Sequence, residues 1–350
     1  MRRVSYLLFG ILLAAAVYLR GQGRAPARHR ANEASSGILK QVAQIDLPGA
    51  KGKRFDYLTL DYAHHYLLSN HLGAGLLYVI DTRTNQLIKA IPDVPGAEGV
   101  VVIPELQRAY TADWYENSIA IVDLTAMKVI GKLPTREKPD GIAYAVPFQK
   151  LYVSDERGRA EAIVSVEQNR IVKTLEFDSE TGMPQYNPVA QKVYVNLQDQ
   201  NLIAVIDPAT DAVVARWPVQ GCKSNHGMAL DPEHHRAFLS CEDNDTLAVF
   251  DLDRHAAIAH LPMASGADVV DFDPGLRRIY VACGTGAISI FQQDDPDHYR
   301  KLPDFPVQPR VHSLAVDRET HRVYAPEEQE HGEPVARMIV YEPADIPQSK

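Results

Sequence analysis

The chain has 350 residues, of which 45% are hydrophobic and 23% are charged, so it can bury a sizeable core. Its net charge of −9 comes without any basic cluster that could follow a phosphate backbone, which argues against nucleic acid as a partner. After residue 20, no apolar run is long enough to span a bilayer.

Residues 1–20 are predicted to be a signal peptide or an N-terminal anchor. Arg2 and Arg3 precede an apolar stretch, Val4 to Leu19, that suits a signal-peptide core and is short for a membrane span. Because the positive end comes first, the rest of the chain should be exported. We favour cleavage over retention and expect a periplasmic or secreted protein, with membrane attachment only if the segment is retained. Residues 21–37 are predicted to be a flexible linker.

A repeat of about 42 residues runs through the remaining chain. Seven segments begin alike, with polar residues followed by a short apolar strand. Their third residues are predicted to be equivalent, and the intervals between them are 42, 42, 45, 41, 42 and 44 residues. These seven residues are Asp56, Glu98, Asp140, Gln185, His226, Asp268 and His312.

Each repeat contains four strand-like runs. In the fourth repeat they read "YNPVAQ", "KVYVNL", "LIAVIDPAT" and "AVVARWPV". Alternating Val, Ile and Tyr between turns such as "DPEHHR" and "DPATDA" indicates antiparallel strands. Four strands in about 42 residues are typical of a β-propeller blade.

The seventh repeat has three strands and lacks its fourth. A candidate for the missing strand lies in residues 38–47, "ILKQVAQIDL", which resemble the fourth strand "QLIKAIP" of another repeat. Pairing this segment with the last blade would close the ring and cover two sheet edges. The sequence therefore predicts one all-β domain, a seven-bladed propeller over residues 38–343. A C-terminal tail, 344–350, follows, and we expect a monomer.

The motifs "KLYVSD", "KVYVNL" and "RIYVAC", with the following "YVIDTRTNQLIKAI", resemble those of the YVTN-repeat β-propellers, a bacterial family that is largely exported. The resemblance covers almost all of the chain after the predicted linker. It implies the propeller fold and export. It does not imply one function, because propellers serve as binding scaffolds, lactonases and dehydrogenase subunits.

The seven equivalent residues are predicted to form a polar ring. In a propeller the first strand of each blade lines the central channel, so its first residue lies at one mouth. The loops between second and third strands open on the same face, and Trp114 and Tyr115 are the bulky aromatic residues among them. Either ring could stack on a ligand. The alternatives also stand: a ring that is polar only because it faces water, and aromatic side chains packed within their loop.

Two arcs of the ring have the composition of a metal site. The acidic arc consists of Asp56, Glu98 and Asp140, whose oxygens suit Ca²⁺ or Mg²⁺. The mixed arc consists of His226, Asp268 and His312, which suit Zn²⁺, Mn²⁺ or Fe²⁺. We favour the mixed arc, because Arg54 and Lys138 could neutralise the acidic arc without a metal. One divalent ion is the cofactor that this ring could hold.

The chain has three cysteines. Cys222 lies just before a first strand, and Cys241 lies just after the second strand of the same blade, so antiparallel pairing should bring them together. We predict a disulfide between them in an exported protein. Cys283 occupies the repeat position of Cys241 in the next blade and should be a free thiol.

Three functions are compatible with these features. The first is an exported, non-catalytic scaffold that binds a small molecule or a protein through its channel face. The second is a metal-dependent hydrolase similar to lactonase-type propellers, in which a central ion polarises the substrate and activates water. The third, by analogy with the family alone, is an accessory subunit of a periplasmic redox enzyme.

Overall fold

The computed structural model describes residues 37–345. The predicted signal peptide or anchor, nearly all of the predicted linker and the last residues of the predicted tail lie outside this range. Within it, no helix is long and apolar enough to cross a membrane.

Seven antiparallel sheets follow one another in the described chain, as the sequence predicts. The chain enters through β1 (Leu39–Asp46), which belongs to the last blade. The first blade consists of β2 (Leu58–Asp61), β3 (Tyr66–His71), β4 (Leu76–Asp81) and β5 (Gln86–Pro92). The second blade consists of β6 (Ala97–Ile103), β7 (Arg108–Asp113), β8 (Ser118–Asp123) and β9 (Lys128–Pro134).

The next three blades repeat this four-stranded order. The third consists of β10 (Pro139–Ala145), β11 (Lys150–Asp155), β12 (Ala160–Ser165) and β13 (Arg170–Glu176). The fourth consists of β14 (Thr181–Asn187), β15 (Lys192–Leu197), β16 (Leu202–Asp207) and β17 (Ala212–Pro218). The fifth consists of β18 (Asn225–Asp231), β19 (Arg236–Cys241), β20 (Thr246–Asp251) and β21 (Ala256–Pro262).

The last two blades depart from the regular pattern. The sixth consists of β22 (Ala267–Asp273), β23 (Arg278–Cys283), β24 (Ala287–Asp295), β25 (His298–Lys301) and β26 (Phe305–Pro306). Both β25 and β26 pair with β24, so two short strands share the outer edge. The seventh blade combines β27 (Ala315–Val316), β28 (Val323–Glu330) and β29 (Glu333–Pro343) with β1. Five short 3-10 helices lie between strands: Leu72–Ala74, Pro104–Leu106, Val146–Phe148, Gln198–Gln200 and Glu242–Asn244.

The N-terminal strand closes the ring, which confirms the predicted closure. β1 pairs with β29 from Leu39 opposite Pro343 to Asp46 opposite Arg337. Leu39 is only 1% exposed and packs in a cluster with Tyr280. The outer edge of the last blade is therefore covered by the start of the chain.

The core lies between the blades and explains the repeated "YV" motif. One large ring from the second strand of each later blade is buried at the same register position. These residues are Tyr110, Tyr152, Tyr194, Phe238, Tyr280 and Tyr324, which are between 0% and 3% exposed. In the first blade Leu68 occupies this position and is also buried. The motif is thus a packing signal and carries no information about a ligand.

The Asp-rich turns also have a structural reason. Asp61 Oδ1 accepts hydrogen bonds from the backbone N–H groups of Ala63 and His64, at 3.0 and 3.2 Å. The turn then ends on His65, which has a left-handed backbone with φ of 57°. An aspartate that caps its own turn stabilises each hairpin locally.

Candidate functional site

Side chains from one blade hold the channel strands of the next. Each donor lies near the end of a second strand, and each acceptor is a backbone carbonyl near the start of the following blade's first strand. The pairs are Asn70 with Gly99 at 3.0 Å, Ser154 with Gly182 at 2.6 Å, Asn196 with His226 at 2.8 Å and Ser240 with Asp268 at 2.8 Å. The channel mouth is therefore positioned by contacts between blades.

Glycine is required where neighbouring channel strands come closest. A Cβ atom on Gly99 would clash with the carbonyl oxygen of Asp140, and one on Gly227 would clash with that of Asp268. The sequences Glu98-Gly99 and His226-Gly227 thus combine a polar side chain with a backbone that the next blade can approach closely. This is why a charged residue stands at the start of an otherwise apolar strand.

The structure corrects the predicted ring in the fourth blade. The residue equivalent to Glu98 and Asp140 is Gly182, the second residue of β14, because Thr181 pairs with the end of β15 as Ala97 pairs with the end of β7. Gln185 lies three residues further along β14 and lines a second cavity, toward the other end of the first strands. The ring therefore has six side chains, and Gln185 is not among them.

A cavity of about 390 Å³ opens at the ring. We call it the mouth cavity. Five ring residues line it: Asp56, Glu98, Asp140, His226 and Asp268. A second group, the loop set, consists of the residues that directly follow the second strands: Leu72, Trp114, Glu156, Gln198 and Glu242. Arg54, Tyr115 and Arg157 complete the lining.

The loop set was largely missed by sequence reasoning. Trp114 was singled out as a bulky aromatic residue, but Glu156 and Glu242 were not. All three occupy one repeat position, at intervals of 42 from Trp114 to Glu156 and 86 from Glu156 to Glu242. Applying the repeat period to Trp114 would have found them.

The acidic arc is compact and buried. Asp56, Glu98 and Asp140 each offer a carboxylate oxygen, and these oxygens lie within 4.8 Å of one another. Arg54 pairs with Asp56, with Nη2 at 2.9 Å and Nε at 3.0 Å from Oδ2. Asp140 is 1% exposed, and neither of its oxygens has a hydrogen-bond partner among residues 37–345. Burial raises the pKa of Asp140 to about 7, and burial together with Asp56 and Asp140 raises the pKa of Glu98 well above its usual range.

Lys138 does not neutralise the acidic arc, contrary to the sequence expectation. Its Nζ donates to the backbone carbonyl of Trp114 at 3.3 Å. The same atom lies 5.3 Å from the centre of the Trp114 ring and 6.0 Å from that of Tyr115. Of the two basic residues expected to pair with the acidic arc, only Arg54 does so.

The mixed arc is only partly assembled. His226 Nε2 lies 3.4 Å from Asp268 Oδ1, and Glu242 completes a group whose ligand atoms are within 4.8 Å of one another. His312 is not in that group. Its Nδ1 donates to the carbonyl of Arg310 at 2.8 Å, and its Nε2 lies 3.7 Å from Asp56 Oδ2. Glu242, from the loop set, thus takes the place predicted for His312.

His226 and Asp268 form a charged pair inside the cavity. Burial alone would lower the pKa of His226, but Asp268, Glu242 and Asp140 outweigh it and raise that pKa well above the usual value. Burial would likewise raise the pKa of Asp268, but His226 lowers it to about 2. The mixed arc therefore carries its own compensating positive charge.

The two aromatic residues lie at the rim of the mouth cavity. Tyr115 is 58% exposed, whereas Trp114 is half-buried. The backbone of Gly96 fits closely against Tyr115, with no room for a side chain. Tyr115 thus presents a ring to solvent beside a group of carboxylates.

The structure joins Cys222 and Cys241 in a disulfide, with the Cα atoms 5.3 Å apart. This is the pair named from the sequence. Cys283 is a free, buried thiol, and burial raises its pKa to about 11. A buried thiol with a raised pKa is unreactive, so Cys283 is a packing residue.

Fold and site together define a seven-bladed β-propeller with an acidic cavity at one mouth of its channel. Among solved structures, the chain is similar to the WD40 repeats of RRP9, with a TM-score of 0.72 and 13% identity over 86% of this chain and 99% of that one. It is similarly close to U3-55K, with a TM-score of 0.72 and 12% identity over 87% of this chain and 98% of that one. Identities this low show the fold alone. No protein-family model and no curated protein matches the chain.

Proposed function

We propose that this protein is an exported, non-catalytic scaffold that binds a small, positively charged ligand in the mouth cavity. The observation that carries the proposal is the cavity's charge: six carboxylates line it, against two guanidinium groups and one imidazole. Its volume of about 390 Å³ suits a small molecule. The resemblance to YVTN-repeat propellers and the disulfide support an exported location.

The rim favours an organic ammonium ion as the ligand class. Tyr115 offers an exposed aromatic face, and such faces attract ammonium groups within about 6 Å of the ring centre. Glu156 lines the same cavity and supplies a carboxylate from the loop set. A ligand with an ammonium group at each end could contact the rim and the carboxylates together.

Calorimetric titration with spermidine, on protein freed of metal with a chelator, tests this proposal. We expect binding to the wild-type protein, at least about threefold weaker binding to Tyr115→Ala and Glu156→Gln, and stronger salt dependence than for a neutral solute. Gln185→Ala, in the second cavity, is the control and should bind as the wild type does. Absence of spermidine binding, or equal binding by all variants, would contradict the proposal.

A second candidate is a metal-dependent hydrolase of the lactonase type. It is favoured by the His226, Glu242 and Asp268 group, which combines nitrogen and oxygen ligands beside an open cavity. A metal held there could polarise a lactone carbonyl and activate water. The candidate predicts hydrolysis of gluconolactone that a chelator abolishes and that His226→Ala removes. Chelator-insensitive rates equal to the uncatalysed reaction would exclude it for this substrate.

A further inference from the structure

We propose that the acidic arc binds one hard divalent cation, Ca²⁺ or Mg²⁺, between Asp56, Glu98 and Asp140. The inference deepens the proposed function and rests on it in that the mouth cavity must admit solutes. It assigns the metal ion to the ring and leaves the loop set and Tyr115 for the organic ligand.

The first argument is charge. Three carboxylates lie with ligand oxygens within 4.8 Å of one another, yet Arg54 pairs directly only with Asp56. Its Nη2 is also 3.6 Å from Asp268 Oδ2, so its charge is shared with the neighbouring arc. One guanidinium cannot compensate three close, buried carboxylates, and a divalent cation would.

The second argument is an unsatisfied side chain. Asp140 is almost completely buried, and both of its oxygens lack a hydrogen-bond partner within the described residues. One basic atom, His226 Nε2, lies within 4.0 Å of it in this part of the chain, at 3.7 Å and beyond hydrogen-bond range. Buried carboxylates are normally paired or bound to metal, so two free oxygens that line a cavity point to a ligand.

The third argument is size and ligand type. Oxygens bound to one Ca²⁺ lie about 2.3–2.6 Å from it, so any two of them are at most about 5 Å apart. The acidic arc meets this limit with oxygens alone, which are the ligands that Ca²⁺ and Mg²⁺ prefer. Water from the mouth cavity would complete the coordination.

The mixed arc is the weaker metal site, which reverses the preference drawn from the sequence. His226 Nε2 already contacts the Tyr57 hydroxyl at 3.1 Å and Asp268 Oδ1 at 3.4 Å. A metal would have to displace these contacts. Asp268 is also near Arg54, so its charge is compensated from two sides.

Equilibrium dialysis of the chelator-treated protein against calcium, and separately against magnesium, tests the inference. We expect about one equivalent of bound cation in the wild type and a higher melting temperature with the metal present. Asp140→Asn and Glu98→Gln should each weaken binding about 100-fold or more, beyond the effect of losing a residue that only supports a ligand. Glu116→Gln changes an exposed carboxylate on the Trp114 loop, outside the cavity, and should leave binding unchanged.

Folding of the variants is checked in the chelator. Removing one of three repelling carboxylates should leave the melting temperature of metal-free Asp140→Asn equal to or above that of the wild type, while the increase produced by metal disappears. Equal metal binding by the wild type, Asp140→Asn and Glu98→Gln would overturn the inference. So would loss of binding in Glu242→Gln with retention in Asp140→Asn, which would place the ion in the mixed arc.

The two proposals fail separately. A wild-type protein that binds neither calcium nor magnesium but binds spermidine would end the metal inference and leave the proposed function intact. A protein that takes up calcium at the acidic arc but never binds spermidine would do the reverse.

Discussion

The closing strand offers a sharp test of the fold, because its inner and outer side chains differ so clearly. Leu39 is 1% exposed and packs against the core between the sixth and seventh blades, whereas Gln41, two residues along β1, is exposed. Leu39→Ala and Gln41→Ala therefore change the same strand, and only the first removes buried surface.

The expected cost follows from this burial. Replacing leucine with alanine removes three carbon atoms, and at about 0.8 kcal/mol per buried group this lowers the free energy of unfolding by about 2.4 kcal/mol. The cavity left behind adds to this, so the total should be about 2–5 kcal/mol. Gln41→Ala should change the free energy of unfolding by no more than about 0.5 kcal/mol.

Equilibrium unfolding in urea, followed by tyrosine and tryptophan fluorescence, measures both variants. The midpoint for Leu39→Ala should fall well below that of the wild type, and that of Gln41→Ala should stay close to it. Equal midpoints for the two variants would mean that β1 is not docked against the last blade in solution. The closed ring described above would then be refuted.

Three further predictions concern the site and its surroundings. Gly99→Ala should push the backbone of Asp140 away, destabilising the protein by about 1–3 kcal/mol and weakening calcium binding. Loss of the Cys222–Cys241 disulfide, by replacing both cysteines with serine, should cost about 3 kcal/mol in thermal or urea unfolding, because the bond closes a loop with a sequence separation of 19. Burial raises the pKa of Asp113 to about 8, so the folded state keeps this proton while the unfolded state loses it. The resulting stability is complete below about pH 4 and is lost as the pH rises toward 8, by up to about 1.4 kcal/mol per pH unit, and Asp113→Asn should remove this slope from urea unfolding measured across that range.

Each of these predictions has a control in the same protein. Gly131→Ala adds a Cβ atom that meets only Ile121 at an ordinary distance of 3.5 Å, and it should leave calcium binding unchanged. Cys283→Ser removes the free thiol, so any effect shared with the double cysteine variant does not come from the disulfide. If Asp113→Asn and the wild type lose stability in parallel between pH 4 and 8, the buried Asp113 carboxyl is not the source of the slope.

The fold was predictable because its signals are local and repeated. Strand alternation, Asp-capped turns and the buried Tyr of the second strand recur in successive blades, so an error in one repeat does not hide the period. The closing strand was predictable for a related reason: the seventh repeat visibly lacked a partner for β29.

The site was harder to predict because its chemistry depends on directions in space. Gly182 has no side chain to mark the ring position, which is why the fourth blade was aligned three residues too late on Gln185. Lys138 is near the acidic arc in sequence terms, but its ammonium group turns to Trp114. Glu242 joins His226 only because the loops after the second strands converge over the channel.

The pairing of β1 with β29 sets the order in which this protein can be completed during synthesis. The two strands are about 300 residues apart in the chain, so at about 5–20 residues per second β1 waits about 15 to 60 s for its partner. During that time its hydrogen-bonding edges are unpaired, and so is the edge of the last blade once that blade forms. When several copies are made close together, the waiting strand of one copy can complete the last blade of another, since the two edges are identical in every molecule. Domain-swapped oligomers are thus the misassembled form that this architecture favours at high expression levels.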